Sequence, residues 1–188
     1  LPGLSPQAMI LMVLVLAVVP PRVLGHQVLF ETIHSFGFTN TAGYLPFELM
    51  EGTDGALYGT TRGGGMYSAG TMFKVNKSGT GYQTLRHFTS AEAGDDTIAL
   101  TRLTRGTDAR IYGTTRRGGA ANLGTVFRLN WDGTGYVQLW DFHAEGLAVG
   151  PLGGVVGDEE GWLYGAAFRR DAAGGVVYKI KAADGTVY

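Results

Sequence analysis

The sequence predicts an all-β fold built from tandem four-stranded antiparallel units of about 50 residues, each shaped like a β-propeller blade. Three observations carry this. The run Leu57-Tyr58-Gly59-Thr60-Thr61 returns 54 residues on as Ile111-Tyr112-Gly113-Thr114-Thr115, and 52 further on, eroded, as Leu163-Tyr164-Gly165-Ala166-Ala167. Gly70 to Val75 (GTMFKV) returns in step with it as Gly124 to Leu129 and Gly175 to Ile180, and Gly79-Thr80-Gly81-Tyr82 as Gly133 to Tyr136 and Gly185 to Tyr188. Within each run apolar and polar residues alternate as on a strand, and no helical periodicity follows residue 25.

Taken in order, residues 1–25 read as a signal peptide. Ala8 to Val19 is an unbroken apolar run of twelve, closed by Pro20-Pro21. A bilayer span needs about 20 such residues, so twelve fits a secretory h-region, with cleavage expected between Gly25 and His26. No Lys or Arg precedes the run. The mature chain, 26–188, is expected to have no membrane span and a secreted or cell-envelope location. Its first element is a strand at 28–36, because Phe30 to Phe36 matches Tyr82 to Phe88 and Tyr136 to Phe142. The first full repeat is 46–88. It reads as strand 46–51, a turn at Thr53-Asp54-Gly55, strand 56–61, a glycine loop, strand 70–76, a turn at Lys77-Ser78-Gly79, and strand 82–88. Repeats 99–142 and 150–188 follow the same order. Pro46 and Pro151 sit near the start of a first strand, where a missing N–H is tolerated. With the lone strand, three strands of the last repeat make twelve in all, or about three blades. Propellers close with about 4–8 blades. The chain is therefore expected to be a fragment of a larger propeller, or to self-associate through open blade faces.

Composition excludes several function classes. Lys and Arg total 15 against 16 Asp and Glu, without a basic stripe, so no nucleic-acid role is expected. The chain has no cysteine, which removes disulfides, thiolate metal sites and a cysteine nucleophile. His26, His34, His87 and His143 do not recur in register, so no metal site is expected. No G-x-S-x-G elbow is present, and no catalytic residue or cofactor is assigned. Residues 57–65, LYGTTRGGG, invite comparison with a phosphate loop. That device joins one strand to one helix and carries a lysine; here the motif recurs, joins strand to strand, and lacks the lysine. Tyr58, Gly59, Tyr112, Gly113, Tyr164 and Gly165 are read instead as structural: glycine for close approach of blades, tyrosine to fill the space between them, and threonine hydroxyls to satisfy backbone groups. Lys74, Arg128 and Lys179 are read as stems over apolar neighbours with charges in water.

"LYGTTRGGG…GTMFKV" and "IYGTTRRGG…GTVFRL" resemble the bacterial GloVer tandem repeat, named after Gloeobacter and Verrucomicrobia. The resemblance covers 28–188 and weakens in the third repeat. It implies a repeat architecture and an exported protein, often with a C-terminal surface anchor, and it transfers no catalytic residues. Function must then come from topology. In an up-and-down meander, the loop between strands 2 and 3 and the loop leaving strand 4 emerge on one side, and these are the variable ones. This long-loop face is the candidate binding surface for a protein or glycan. Its conspicuous side chains are Arg62, Tyr67, Arg116, Arg117, Asn122, Arg169 and Arg170, with Asp95 and Asp96 nearby. Two readings stand: a binding or scaffold module, or a carbohydrate-active propeller enzyme (glycoside hydrolase or lyase) with part of its site in missing blades. Asp95-Asp96 or Glu159-Glu160 would be its acids. A carboxylate pair converging in a central funnel would favour the enzyme.

Overall fold

The computed structural model describes residues 29–37, 41–93, 100–146, 148–171 and 173–182. The expected signal peptide, Asp95, Asp96, the turn at Asp184-Gly185 and Tyr188 lie outside them. The chain divides into Leu1–Glu31 and Thr32–Tyr188. Of the first unit only Leu29 to Glu31 are described, without regular structure.

The second unit is all-β, in three antiparallel sheets. Sheet 1 runs in the order β1 (Tyr44–Glu51), β2 (Leu57–Gly63), β3 (Thr71–Val75), β4 (Gln83–His87). Sheet 2 repeats it with β5 (Leu100–Arg105), β6 (Ile111–Thr115), β7 (Thr125–Leu129) and β8 (Val137–Asp141). Sheet 3 contains β9 (Ala148–Pro151), β10 (Val156–Gly157), β11 (Trp162–Arg169) and β12 (Gly175–Lys181). Its first strand is split, since β9 and β10 both pair with β11. Pro151, Gly153 and Gly154 interrupt the run, and the backbone between turns to sheet 2. Thr114 donates to the Gly153 carbonyl at 2.7 Å and Thr104 to the Val155 carbonyl at 2.5 Å.

The register explains the Tyr-Gly motif. Gly59 lies opposite Phe73, Gly113 opposite Phe127, and Gly165 opposite Tyr178. A Cβ on Gly59 would stand 2.7 Å from the Phe73 ring, and one on Gly113 2.5 Å from the Phe127 ring. The glycine therefore makes room for an aromatic ring of its own sheet, whereas the sequence reading assigned that space to the neighbouring blade. The paired threonines also act within the sheet. Thr61 and Thr71 share a hydroxyl–hydroxyl bond of 2.9 Å, and Thr115 and Thr125 one of 2.8 Å. Each first hydroxyl also accepts the opposite backbone N–H at 3.0 Å. In sheet 3 this pair is Ala167 and Val176, apolar on both sides.

Two apolar layers hold the sheets together. Between sheets 1 and 2 lie Tyr58, Met72, Phe88, Leu103, Ile111, Phe127 and Leu129. Between sheets 2 and 3 lie Tyr112, Val126, Phe142, Val155, Leu163, Tyr178 and Ile180. The second set is the first shifted by one repeat, residue for residue. Each layer takes the last aromatic of strand 4 into the next sheet: Phe88 packs on Phe127 with ring centroids 5.6 Å apart, and Phe142 on Tyr178 at 5.3 Å.

Residues 29–37 form no strand, contrary to the reading of 28–36. None of the described strands pairs with it. Its part within the second unit still occupies the place of a fourth strand against sheet 1. Phe36 packs on Phe73 at 4.9 Å, as Phe88 packs on Phe127. The Ile33 carbonyl lies 2.0 Å from where a Gly79 Cβ would stand, as the Leu85 carbonyl lies 2.3 Å from that of Gly133. The register is thus shared, and only the ladder is missing. One short helical turn, α1 (Ser90–Ala93), also departs from the all-strand reading. Thr89 caps it: Glu92 accepts the Thr89 N–H at 2.9 Å, the return bond of a capping box.

Candidate functional site

On the long-loop side, the loops are short-range structures pinned by the ends of the fourth strands. In the β2–β3 loop Gly64 and Gly65 have φ of 78° and 80°, in the left-handed region that glycine tolerates. The Met66 N–H donates to His87 Nδ1 at 3.2 Å. In the β6–β7 loop the equivalent Ala120 N–H donates to Asp141 Oδ2 at 2.8 Å. His87 and Asp141 thus hold the same acceptor post, although sequence register alone gave the pair no role.

Successive loops also bond to one another. Gly119 N–H donates to the Ala91 carbonyl at 2.9 Å, joining the β6–β7 loop to the α1 segment. Gly150 N–H donates to the Leu123 carbonyl at 2.7 Å, joining the β6–β7 loop to β9 of sheet 3. Arg86, bonded to Glu92, lies 4.5 Å over the Tyr136 ring and ties α1 to sheet 2.

The seven side chains singled out on this face fare differently. Arg62 lies 3.9 Å over the Phe47 ring of its own sheet. Arg116 lies 5.2 Å over Phe168 and so bridges sheets 2 and 3. Arg169 bonds to both carboxylate oxygens of Asp171, at 2.5 and 2.9 Å. Asn122, at φ 53°, accepts the Gly118 N–H at 2.8 Å and shapes its own loop. Arg117 and Arg170 are exposed. Tyr67 is 54% exposed beside Met66 at 68%, an apolar projection from the β2–β3 loop. Of the seven, Arg116 reaches another sheet, at Phe168; Arg169 is held by Asp171, and Arg62 and Asn122 serve local structure.

The opposite side carries tight turns and a recurring Asp–Tyr pair that the sequence reading missed. Tyr58 donates to Asp54, Tyr112 to Asp108 and Tyr164 to Asp158, each at 2.9 Å. An Asp four residues before the tyrosine, present in the first two repeats, was the signal. Lys74 completes the first pair at 2.6 Å from Asp54, so its charge is bonded and not simply left to water. The Lys74 ammonium, with help from the Ala56 N–H, holds the Asp54 carboxyl down at about 2. Burial raises the Tyr58 and Tyr112 hydroxyls, and the partner carboxylates raise them further.

First strands of adjacent sheets meet along the edge opposite the fourth strands. There Glu48 of β1 accepts from Arg102 of β5 at 2.5 Å. Glu159 and Glu160 are exposed neighbours in the β10–β11 turn, on the tight-turn side. Among the described residues no group of three or more His, Asp or Glu could hold a metal ion, and no helix is long and apolar enough to cross a membrane.

A family model described as the Gloeobacter/Verrucomicrobia repeat matches residues 24–188. No curated protein shows significant similarity to the chain.

Proposed function

The chain belongs to the Gloeobacter/Verrucomicrobia repeat family, and we propose that it works as an exported binding or scaffold module at the cell surface. Its partner, a protein or a glycan, meets the long-loop face. The observation that carries this reading is the bonding of successive loops across sheets, from Ala91 to Gly119 and from Leu123 to Gly150. Loops held in one another's register on a packed scaffold make a continuous, preorganised surface, and preorganisation lowers the ordering cost of binding. Tyr67 with Met66 supplies an apolar anchor, and Arg116 stacked on Phe168 a planar charged one, the residue types that dominate recognition hot spots.

Of the acids named for the enzyme alternative, Asp95 and Asp96 lie outside the described residues, and Glu159 and Glu160 are exposed in the β10–β11 turn, on the side opposite the long loops. The test is a glycan array and a panel of purified surface proteins probed with the chain. The double variant Tyr67→Ala/Arg170→Ala should lose binding with an unchanged melting temperature, and Asn76→Ala on the tight-turn side should keep it. Equal binding by both variants would remove the long-loop face from the function. Export is checked separately, by mass spectrometry of secreted material, with a mature N-terminus expected near His26.

A further inference from the structure

The two layers between sheets use equivalent positions, with one exception. Trp131 stands two residues beyond Leu129, and the place two residues beyond Ile180 is Ala182; matching the turns instead, Trp131-Asp132-Gly133 to Ala183-Asp184-Gly185, also gives an alanine. The indole of Trp131 fills the tight-turn end of the first layer. Its edge meets the Tyr58 ring at 4.8 Å and 79°, and its Nε1–H donates to the Ala109 carbonyl at 2.8 Å. In the second layer the same place is open among the described residues. A cavity of about 210 Å³ lies there, and its walls include Tyr112, Asp108, Gly161, Trp162, Arg128 and Ala182. Tyr112 is the equivalent of Tyr58, and Gly161 the equivalent of Ala109. The second layer thus lacks the indole, and the Ala182 N–H meets the Gly161 carbonyl where the Trp131 Nε1–H meets that of Ala109.

From this we infer that the cavity between sheets 2 and 3 is a binding site for a small planar heteroaromatic molecule with a ring N–H, of the indole class. Size permits it, since an apolar cavity of about 150 Å³ already takes up benzene. The walls are fixed before a ligand arrives. Asp108 holds the Tyr112 hydroxyl at 2.9 Å, as Asp54 holds that of Tyr58. Trp162 lies opposite Lys181 in the ladder, and its ring packs under Lys179 and Lys181, at 4.4 and 4.7 Å, on the outer face of sheet 3, so that its main chain at the edge of the cavity is held in place. The acceptor is also in place. The Gly161 carbonyl takes the Ala182 N–H at 2.8 Å, and a carbonyl oxygen has a second lone pair for a ligand N–H. Arg128, which donates to the Ala182 carbonyl at 3.4 Å, closes the cavity with a guanidinium next to the ring site. This site lies on the tight-turn side and does not depend on the reading of the long-loop face.

The repeat supplies its own controls. Indole should bind the unmodified chain saturably by calorimetry, at one site, and raise its melting temperature by mass action. 1-Methylindole should bind roughly five-fold more weakly, the effect of one lost neutral hydrogen bond. Ala182→Trp should fill the cavity and abolish indole binding. Ala182→Leu, which fills less, should weaken it and serves if the tryptophan variant does not fold. Trp131→Ala should open a second site and bring the stoichiometry to two. Indole binding to Trp131→Ala but not to the unmodified chain would overturn the proposal, as would undiminished binding by both Ala182 variants.

Discussion

Sheet 2 and sheet 3 come from the same repeat, yet among the described residues only sheet 2 of the two is covered on both faces. The contrast is sharpest at equivalent positions. Tyr58 and Tyr112, each under a following sheet, are 4% and 3% exposed, and Tyr164 is 39% exposed. Met72 and Val126 are fully buried, and Val177 is 83% exposed. The outer face of sheet 3 nevertheless keeps the tyrosine, its Asp158 partner and the apolar residue. At the other end, a groove of about 380 Å³ between Ile33, Phe36, Leu49, Phe73 and Val75 is the counterpart of the surface on which Tyr58 and Met72 are seated in the first layer. The free face and the groove are the two halves of one layer. A module that presents both ends in this form is suited to stacking another unit of the same repeat, as in linear arrays whose terminal faces need caps.

The comparison can be broken most decisively at the tyrosines. Tyr58→Ala or Tyr112→Ala should cost about 3–5 kcal/mol, as large buried aromatics do. Tyr164→Ala should cost less than about 0.5 kcal/mol, the range of surface changes. Urea unfolding of the three variants measures both. Equal losses at all three positions would mean that the outer face of sheet 3 is covered in solution. Next come the threonines. Thr115→Val leaves the buried Thr125 hydroxyl and backbone N–H short of a partner, which costs about 1–3 kcal/mol. Ala167→Ser in sheet 3, where the opposite residue is Val176, should stabilise nothing.

A smaller effect is expected from acid. Asp54, Asp158 and Asp132 all have lowered pKa values, through Lys74, through the Trp162 N–H and through Thr134 respectively. A depressed carboxyl contributes stability above its unfolded pKa of about 3.9, and that contribution is lost as pH falls toward the folded value. For Asp54 the window runs from about 4 down to about 2. Asp54→Asn should flatten the fall in melting temperature across that window. The smallest stability change belongs to Val177→Lys, which should leave the melting temperature in place. Its effect should be on association: if the outer face of sheet 3 seats on the groove of a second copy, light scattering at high concentration should show less assembly than for the unmodified chain.

Strand identity, order and antiparallel pairing were legible in the sequence because they follow from period-two patterning and turn chemistry, which repetition reinforced. Less legible was anything that depends on a partner strand. Phe30 to Phe36 carries a strand-like pattern, but a pattern supplies one side of a ladder only, and none of the described strands pairs with it. The split between β9 and β10 was hidden because it depends on Thr104 and Thr114 of another sheet. The role of Gly59 was misplaced for a related reason: sequence shows that a glycine is needed, and only register shows that the intruding ring is Phe73. On the candidate site, residue type marked Arg62 and Asn122 as interesting without showing that Phe47 and the Gly118 N–H already engage them. The Trp131-to-Ala182 exchange was in plain view, but it means nothing until the two layers are superimposed.

The sharing of Phe88 and Phe142 between neighbouring sheets has a consequence for how such a gene can change length. Each aromatic is encoded at the end of one unit and packs in the layer that belongs to the next. A tandem duplication of one repeat length adds one sheet and one complete layer wherever its breakpoints fall, because the junction always restores an aromatic in front of its recipient ring. A junction that shifted a strand by one residue would place the wrong side of it against that ring, whereas a difference in loop length is absorbed, as the unequal steps of 54 and 52 residues show. Unequal recombination can therefore lengthen or shorten the array freely in whole units, and selection at this junction is enough to keep the count integral.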